Sequence, residues 1–253
     1  MELIKGDCLI EMNKIPDKSI DLILCDLPYG TLACKWDIVI DFEKLWSCYE
    51  RIIKDKGTIV LFGQEPFSSL VRTSNLKLYR YDWIWQKEKP SNFQLMNYQC
   101  GRVHENIMVF SKAKGCYTSN NNSMVYYPQK ELRENTRKGT VKIYGETEKN
   151  ILHEYKKGEV GKYKEYTHRM PISILKFSNE KHKVHPTQKP IELLMYLIST
   201  YTQEGEVVLD NCMGSGSTGV ACKKLNREFI GIEKDENYFE IAKQRIEVEN
   251  KEV

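Results

Sequence analysis

Two short runs hold the residue types best suited to chemistry. Asp26-Leu27-Pro28-Tyr29-Gly30 follows the apolar run Asp21-Leu22-Ile23-Leu24-Cys25. An acid, a proline and an aromatic at the C-terminal end of a buried strand stand where α/β sheets bind ligands. The plainer reading is a strand-ending turn, because Pro and Gly punctuate such ends. The second run is Val208-Leu209-Asp210-Asn211-Cys212-Met213-Gly214-Ser215-Gly216-Ser217-Thr218-Gly219. Its Gly214, Gly216 and Gly219 fit G-x-G-x-x-G between an expected strand and an expected helix, where glycine permits a tight turn and close approach of a ligand to the backbone. The next apolar run ends at Glu233, and a carboxylate there can accept two hydrogen bonds from ribose hydroxyls.

Two nucleotide readings compete for that turn: the dinucleotide site of an NAD-linked oxidoreductase, and an adenosyl site. Chain order separates them. Only 20 residues follow Glu233, enough for one helix. A dinucleotide fold starting at this turn needs further strand–helix units after it. The remaining strands must therefore come from the N-terminal part, which disfavours the oxidoreductase.

The elements that must position these runs are legible in the apolar pattern. Asp21–Cys25, Thr58–Phe62, Ile107–Phe110, Val207–Leu209 and Phe229–Ile232 read as buried strands of a mostly parallel sheet, with Asp82–Trp85 another strand. Asp41–Lys54 carries Phe42, Leu45, Trp46, Tyr49, Ile52 and Ile53 on one helix face. Pro190–Tyr201 opens on a proline, a helix-start signal, and Tyr238–Val248 is a final amphipathic helix. Trp46, Trp83 and Trp85 are read as core.

Residues 112–170 break this rhythm. They hold 13 Lys and Arg against 7 Glu and no Asp, a balance of +6 in a chain of +3, so the rest stands at −3. Seven tyrosines lie among them: Tyr117, Tyr126, Tyr127, Tyr144, Tyr155, Tyr163 and Tyr166. A basic, aromatic-rich insert in a mildly acidic body suits contact with a polyanion; a solvated, loosely packed insertion is the alternative. The expected organisation is a first half over 1–111, the insert over 112–170 and a second half over 171–253.

The eight cysteines, Cys8, Cys25, Cys34, Cys48, Cys100, Cys116, Cys212 and Cys222, form no Cys-x-x-Cys pair. They read as reduced core thiols in a reducing compartment, with no metal site expected. No apolar run approaches the ~18 residues that span a bilayer. The N-terminus is acidic and lacks the apolar length of a secretory signal, so a cytoplasmic location is expected.

Taken together, the motifs resemble the permuted β group of DNA amino-methyltransferases. Asp26-Leu27-Pro28-Tyr29 matches the Asp-Pro-Pro-Tyr type catalytic motif near the N-terminus, and Asp210–Thr218 the adenosyl-binding Gly motif near the C-terminus. His185-Pro186-Thr187-Gln188-Lys189-Pro190 matches the element before the helix that precedes the Gly motif. Gly6-Asp7-Cys8 matches the adenine contact after the first strand, and Phe229–Asp235 the ribose-binding strand. The matches span roughly 1–110 and 180–245, and their order is far more specific than any one motif. Three residues depart from the pattern. Leu27 stands for the first proline of the catalytic motif, and Asn211-Cys212 for the usual Pro-Phe.

The resemblance implies a Rossmann-like methyltransferase fold with circularly permuted motif order and an inserted target-recognition region. It implies an S-adenosylmethionine-dependent enzyme acting on double-stranded DNA, and it suggests a homodimer. Whether a restriction endonuclease partner exists is left open. Asp26 and the Leu27 carbonyl become the acceptors for a target amine, with Pro28 in the same motif and Tyr29 stacking on a flipped-out base. Asp7, Asp210, Gly214, Gly216, Thr218 and Glu233 become cofactor contacts. Lys189 is expected to pair with the methionine carboxylate, unless it is a solvated lysine ahead of its helix. Adenine N6 is favoured over cytosine N4, because relatives acting on cytosine more often carry Ser at the position of Asp26. A catalytically inactive nucleic-acid-binding relative is disfavoured by the intact Asp26, Tyr29 and Glu233.

Overall fold

The computed structural model describes residues 1–30, 39–116, 121–142, 146–149, 154–157, 160–180 and 188–248, without side chains over 139–164. The elements in chain order are β1 (Glu2–Lys5), α1 (Cys8–Glu11), β2 (Ile20–Cys25), α2 (Phe42–Ile52), β3 (Ile53–Gly63), α3 (Phe67–Ser74), β4 (Tyr79–Gln86) and β5 (His104–Phe110). There follow β6 (Glu131–Lys142), β7 (Glu146–Lys149), β8 (Glu154–Lys157), β9 (Val160–Arg169), β10 (Ile174–Lys176), α4 (Ile191–Tyr201), β11 (Val207–Asp210), α5 (Ser217–Lys224), β12 (Glu228–Glu233) and α6 (Glu236–Val248).

Eight strands form one sheet in the order β1-β12-β11-β2-β3-β5-β4-β10. Every pairing is parallel except those of β5, which runs antiparallel to β3 and β4. The fold is therefore the mostly parallel α/β sheet expected. The strands alternate their burial between two faces, as a period of two requires. Leu22, Leu24, Val60 and Phe62 pack with Leu193, Leu197, Ile198, Val220 and Ile246 of α4, α5 and α6. Ile23, Cys25, Ile59 and Leu61 pack with Met12, Leu45, Trp46, Tyr49 and Phe67 on the other face, from α1 to α3 and the turn after α1. Helices on both faces explain why these strands read as continuous apolar runs.

Asp41 caps α2 by accepting from the Glu43 and Lys44 amides, which fixes the helix start the periodicity indicates. Pro190 stands at the N-cap of α4, one residue before the helix. Trp46, Trp83 and Trp85 are buried, and each indole N–H has an acceptor: Ser74 Oγ, Tyr201 Oη and the Phe177 carbonyl. Cys8, Cys25, Cys48 and Cys222 are buried core thiols. Cys100 and Cys116 are exposed instead, because they stand in polar connections outside the sheet. Cys34 lies outside the described residues. No described helix is long and apolar enough to cross a membrane.

The chain divides into two compact units, Met1–Tyr127 with Ser173–Val253, and Pro128–Ile172. The second begins later than the 112 expected. Ala113 and Met124 are core residues of the first unit, and the amides of Val125 and Tyr127 bond to the carbonyls of Lys56 and Thr200. Tyr126 and Tyr127 thus belong to the α/β body, whereas Tyr166 lies in the second unit; Tyr117 and Tyr144 lie outside the described residues. The second unit consists of an antiparallel ribbon of β6 and β9 and a shorter one of β7 and β8. None of its described side chains is buried.

Candidate active site

Parallel strands end on one edge of the sheet, and that edge collects the acids singled out above. Asp7 follows β1, Asp26 follows β2, Asp210 ends β11 and Glu233 ends β12. From β11 the chain continues outward to β12, and from β2 it continues to β3 on the other side. The crevice between β11 and β2 is therefore a topological switch point, the place where open α/β sheets bind ligands. A cavity of ≈ 610 Å³ opens there. That volume falls in the ~300–1,000 Å³ range of small-molecule pockets. Asp7, Asp26, Leu27, Pro28, Tyr29, Lys189, Asp210, Gly214, Thr218 and Glu233 all line it.

The glycine turn is built by its own side chains. Asp210 accepts from the Cys212 amide at 3.2 Å and from the Thr218 hydroxyl at 2.6 Å. Both of its oxygens thus brace the turn, and burial pushes its carboxyl up to about 6. Glu233 accepts from the Gly214 amide at 2.9 Å and from the Asp235 amide at 2.8 Å. Burial raises its carboxyl above the usual range, against those two amides. Asp7 caps α1 through the Leu9 amide at 3.1 Å and meets Lys234 Nζ at 3.1 Å.

The two glycines of the turn have different tasks. Gly214 has φ +50°, and a Cβ on it would meet nothing within 4 Å. Gly216 has φ +77°, caps α5 and does not line the cavity; its Cβ would sit 2.8 Å from that of Ala242 in α6. Gly216, expected as a cofactor contact, is packed here against α6. Gly216→Ala should lower thermal stability markedly, by ~1–2 kcal/mol of left-handed strain with overpacking added. Gly214→Ala should lose only the strain, and instead push a methyl toward the cavity and weaken ligand binding. Thermal melts and calorimetry on the two variants check the contrast; equal melting losses with equal affinities would contradict it.

The Asp26–Tyr29 turn lines the same cavity. Leu27 buries its side chain in the core. Tyr29 donates to Asp26 Oδ1 at 2.6 Å, and its ring lies 4.7 Å from that of Phe67, centroid to centroid. Burial, with Asp26 beside it, pushes the Tyr29 hydroxyl well above its usual range. The other oxygen of Asp26 accepts from Lys189 Nζ. Lys189 is buried, so the solvated lysine considered above does not occur. Its ammonium sits among Asp26, Glu105 and the Phe62 ring, whose centroid is 5.1 Å away. Burial opposes its charge, but Asp26 and Glu105 more than offset that and hold it above its ordinary 10.5.

Glu105 is the charged residue that pattern reading passes over. It is 5% exposed, on β5, and its burial alone would raise its carboxyl. Lys189 and Lys87 outweigh that and hold it down at about 2. Its Oε1 accepts from Lys87 and, at 3.0 Å, from Gln64; Gln64 in turn accepts from Arg102 at 2.6 Å. The signal was present as one acid at the head of an apolar strand run, where it reads as a boundary. Of the segment before α4, Gln188, Lys189 and Pro190 are described, whereas His185, Pro186 and Thr187 lie outside the described residues.

An acid–Leu-Pro-Tyr turn and a glycine turn thus line one cavity at the edge of an α/β sheet, and the sequence matches the model of the DNA methylase family. The chain belongs to that family, whose model matches residues 20–244. Type II methyltransferase M.HpaI of Haemophilus parainfluenzae is 29% identical over 260 residues, covering 98% of this chain and 74% of that protein. DNA adenine methyltransferase YhdJ of Escherichia coli strain K12 is 27% identical over 258 residues, covering 97% and 82%. Among solved structures, the M1.HpyAVI–SAM complex shares the fold with a TM-score of 0.60 at 20% identity, covering 96% of this chain and 98% of that one.

Proposed function

We propose that this chain transfers a methyl group from S-adenosylmethionine to adenine N6 in double-stranded DNA. The observation that carries the reading is one cavity lined by Asp26 and Tyr29 together with the Gly214 turn and Glu233. The chain's relatives include a DNA adenine methyltransferase, and Asp rather than Ser opens the catalytic motif. Cytosine N4 is the second reading, because its exocyclic amine needs the same acceptors.

The residues present fit the cofactor. Glu233 would take the ribose hydroxyls and Asp7 the adenine amine, while open space at Gly214 admits a ligand against the backbone. S-adenosylmethionine supplies, when bound, an electrophilic methyl on a sulfonium. Everything else falls to the protein. An exocyclic amine is a poor nucleophile, since its lone pair is delocalised into the ring. Asp26 and the Leu27 carbonyl accept hydrogen bonds from its N–H groups. Those bonds strengthen as the nitrogen turns positive, so they lower the barrier selectively. Tyr29 offers a ring face for the flipped base. To bond the amine through Oδ1, Asp26 shares or gives up its bond to Tyr29.

Residues of the insert supply the DNA contacts in this reading. A two-stranded ribbon is one of the elements that a major groove admits, and Arg137 and Lys138 are exposed on β6. Neutralising Lys156 and Lys157 should weaken DNA binding and flatten its salt dependence, the slope falling by about 0.9 for each phosphate no longer neutralised. An unchanged slope would remove these lysines from the interface. The activity itself is tested by transfer of labelled methyl from S-adenosylmethionine to mixed-sequence duplex DNA. Label in DNA is the expected result; none would leave a binding protein.

A further inference from the structure

Asp26 is tied into a buried charge cluster whose remaining members have no role in the chemistry so far. Glu105 is nine-tenths buried and does not line the cavity, so it touches neither base nor cofactor there. Topology brings it to the site. β5 runs antiparallel to β3 and β4, so its first residues lie where theirs end, with Asn106 opposite Gly63 and His104 opposite Gln86. A strand that starts at the catalytic edge can deliver a side chain beneath it. Glu105 Oε2 has no hydrogen-bond partner among the described residues, and faces Lys189 Nζ at 3.5 Å. The opposite oxygen is fixed by Lys87 and Gln64. Lys189 has its own second tie, to Asp26 Oδ2.

We propose that Glu105 is a positioning residue for methyl transfer: acting through Lys189, it holds the Asp26 carboxylate in the orientation that receives the target amine. The idea rests on Asp26 being the amine acceptor. Its physical content is a division of labour between the two carboxylate oxygens. Oδ1 is held by Tyr29, a side chain at the cavity that can turn away when a base enters. Oδ2 is held by a buried ammonium that is itself anchored to the sheet. With Oδ2 pinned, the exchange of Tyr29 for a base amine at Oδ1 leaves the carboxylate plane in place. A carboxylate free to rotate would spend part of its time misaligned, and small misplacements of a reacting group are costly to rate. Lys189 accordingly serves the base side of the cavity rather than the methionine carboxylate.

The test is a cycle of variants in the full chain, read by single-turnover methyl transfer from the preformed complex with S-adenosylmethionine and duplex DNA. Glu105→Gln keeps the shape and removes the charge. It should slow the transfer step by about tenfold, with cofactor and DNA dissociation constants within about twofold of wild type. In an Asp26→Ala background the same change should cost nothing further, since the group it positions is gone. Three results would overturn the proposal: an unchanged rate in Glu105→Gln, the same factor lost with and without Asp26, or lost cofactor affinity at an unchanged transfer rate. If Glu105→Gln lacks the wild-type melt, the charge-matched pair Glu105→Gln with Lys189→Met takes its place under the same criteria. The Asp26→Ala arm keeps the two readings apart. Should Asp26→Ala alone retain more than about a tenth of the rate, the acceptor assignment fails and the Glu105 proposal falls with it; a slow Asp26→Ala beside an unchanged Glu105→Gln overturns the Glu105 proposal alone.

Discussion

Asp26→Ala is expected to cut methyl transfer by ~10²–10³, or ~2.7–4 kcal/mol, the usual effect of removing one preorganised partner of developing charge. Cofactor binding should stay nearly intact, because the groups expected to hold the cofactor are Asp7, Glu233 and the glycine turn rather than Asp26. The protein should remain folded. Lys189 loses one partner but keeps Glu105 at 3.5 Å, so no buried charge is left alone. DNA binding should tighten slightly, as a negative charge leaves a surface that faces phosphates. Single-turnover kinetics, with both affinities measured on the same preparation, separate the outcomes. More than a tenth of the wild-type rate would contradict the catalytic role. Joint loss of activity and cofactor affinity would move Asp26 into the adenosyl pocket.

Glu233→Ala is expected to weaken S-adenosylmethionine binding by ~1.5–3 kcal/mol, the scale of hydrogen bonds to a charged group. That is about 10- to 150-fold in dissociation constant. Two causes add here. The ribose loses its acceptor, and the Gly214 and Asp235 amides lose the carboxylate that shapes the turn. Glu233→Gln keeps one acceptor oxygen and should lose less. Calorimetry giving wild-type affinity for Glu233→Ala would take this residue out of the site.

Much of this architecture was legible in local pattern. The apolar runs at 21–25, 58–62, 107–110, 207–209 and 229–232 all lie within strands, because helices cover both faces and leave no polar alternation to confuse the reading. The acids that follow those strands were placed by the same logic, since parallel strands end on a common edge. What pattern could not show is which distant side chains meet. Lys189 and Asp26 are 163 residues apart, and their contact depends on strand order. The antiparallel course of β5 is equally invisible in its sequence, so Glu105 could not be recognised as part of the site. Gly216 fits the glycine fingerprint, yet its constraint comes from Ala242 in the last helix. The insert looked longer than the second unit because residues 112–127 are basic and aromatic, and composition does not reveal the backbone bonds that tie them to Lys56 and Thr200.

The most direct measurement is mass spectrometry of nucleosides from duplex DNA incubated with the purified chain and S-adenosylmethionine. The account predicts N6-methyladenine, absent when Asp26 is replaced by Ala. N4-methylcytosine alone would contradict the adenine assignment, and no methylated nucleoside from folded, cofactor-bound protein would contradict the enzyme itself.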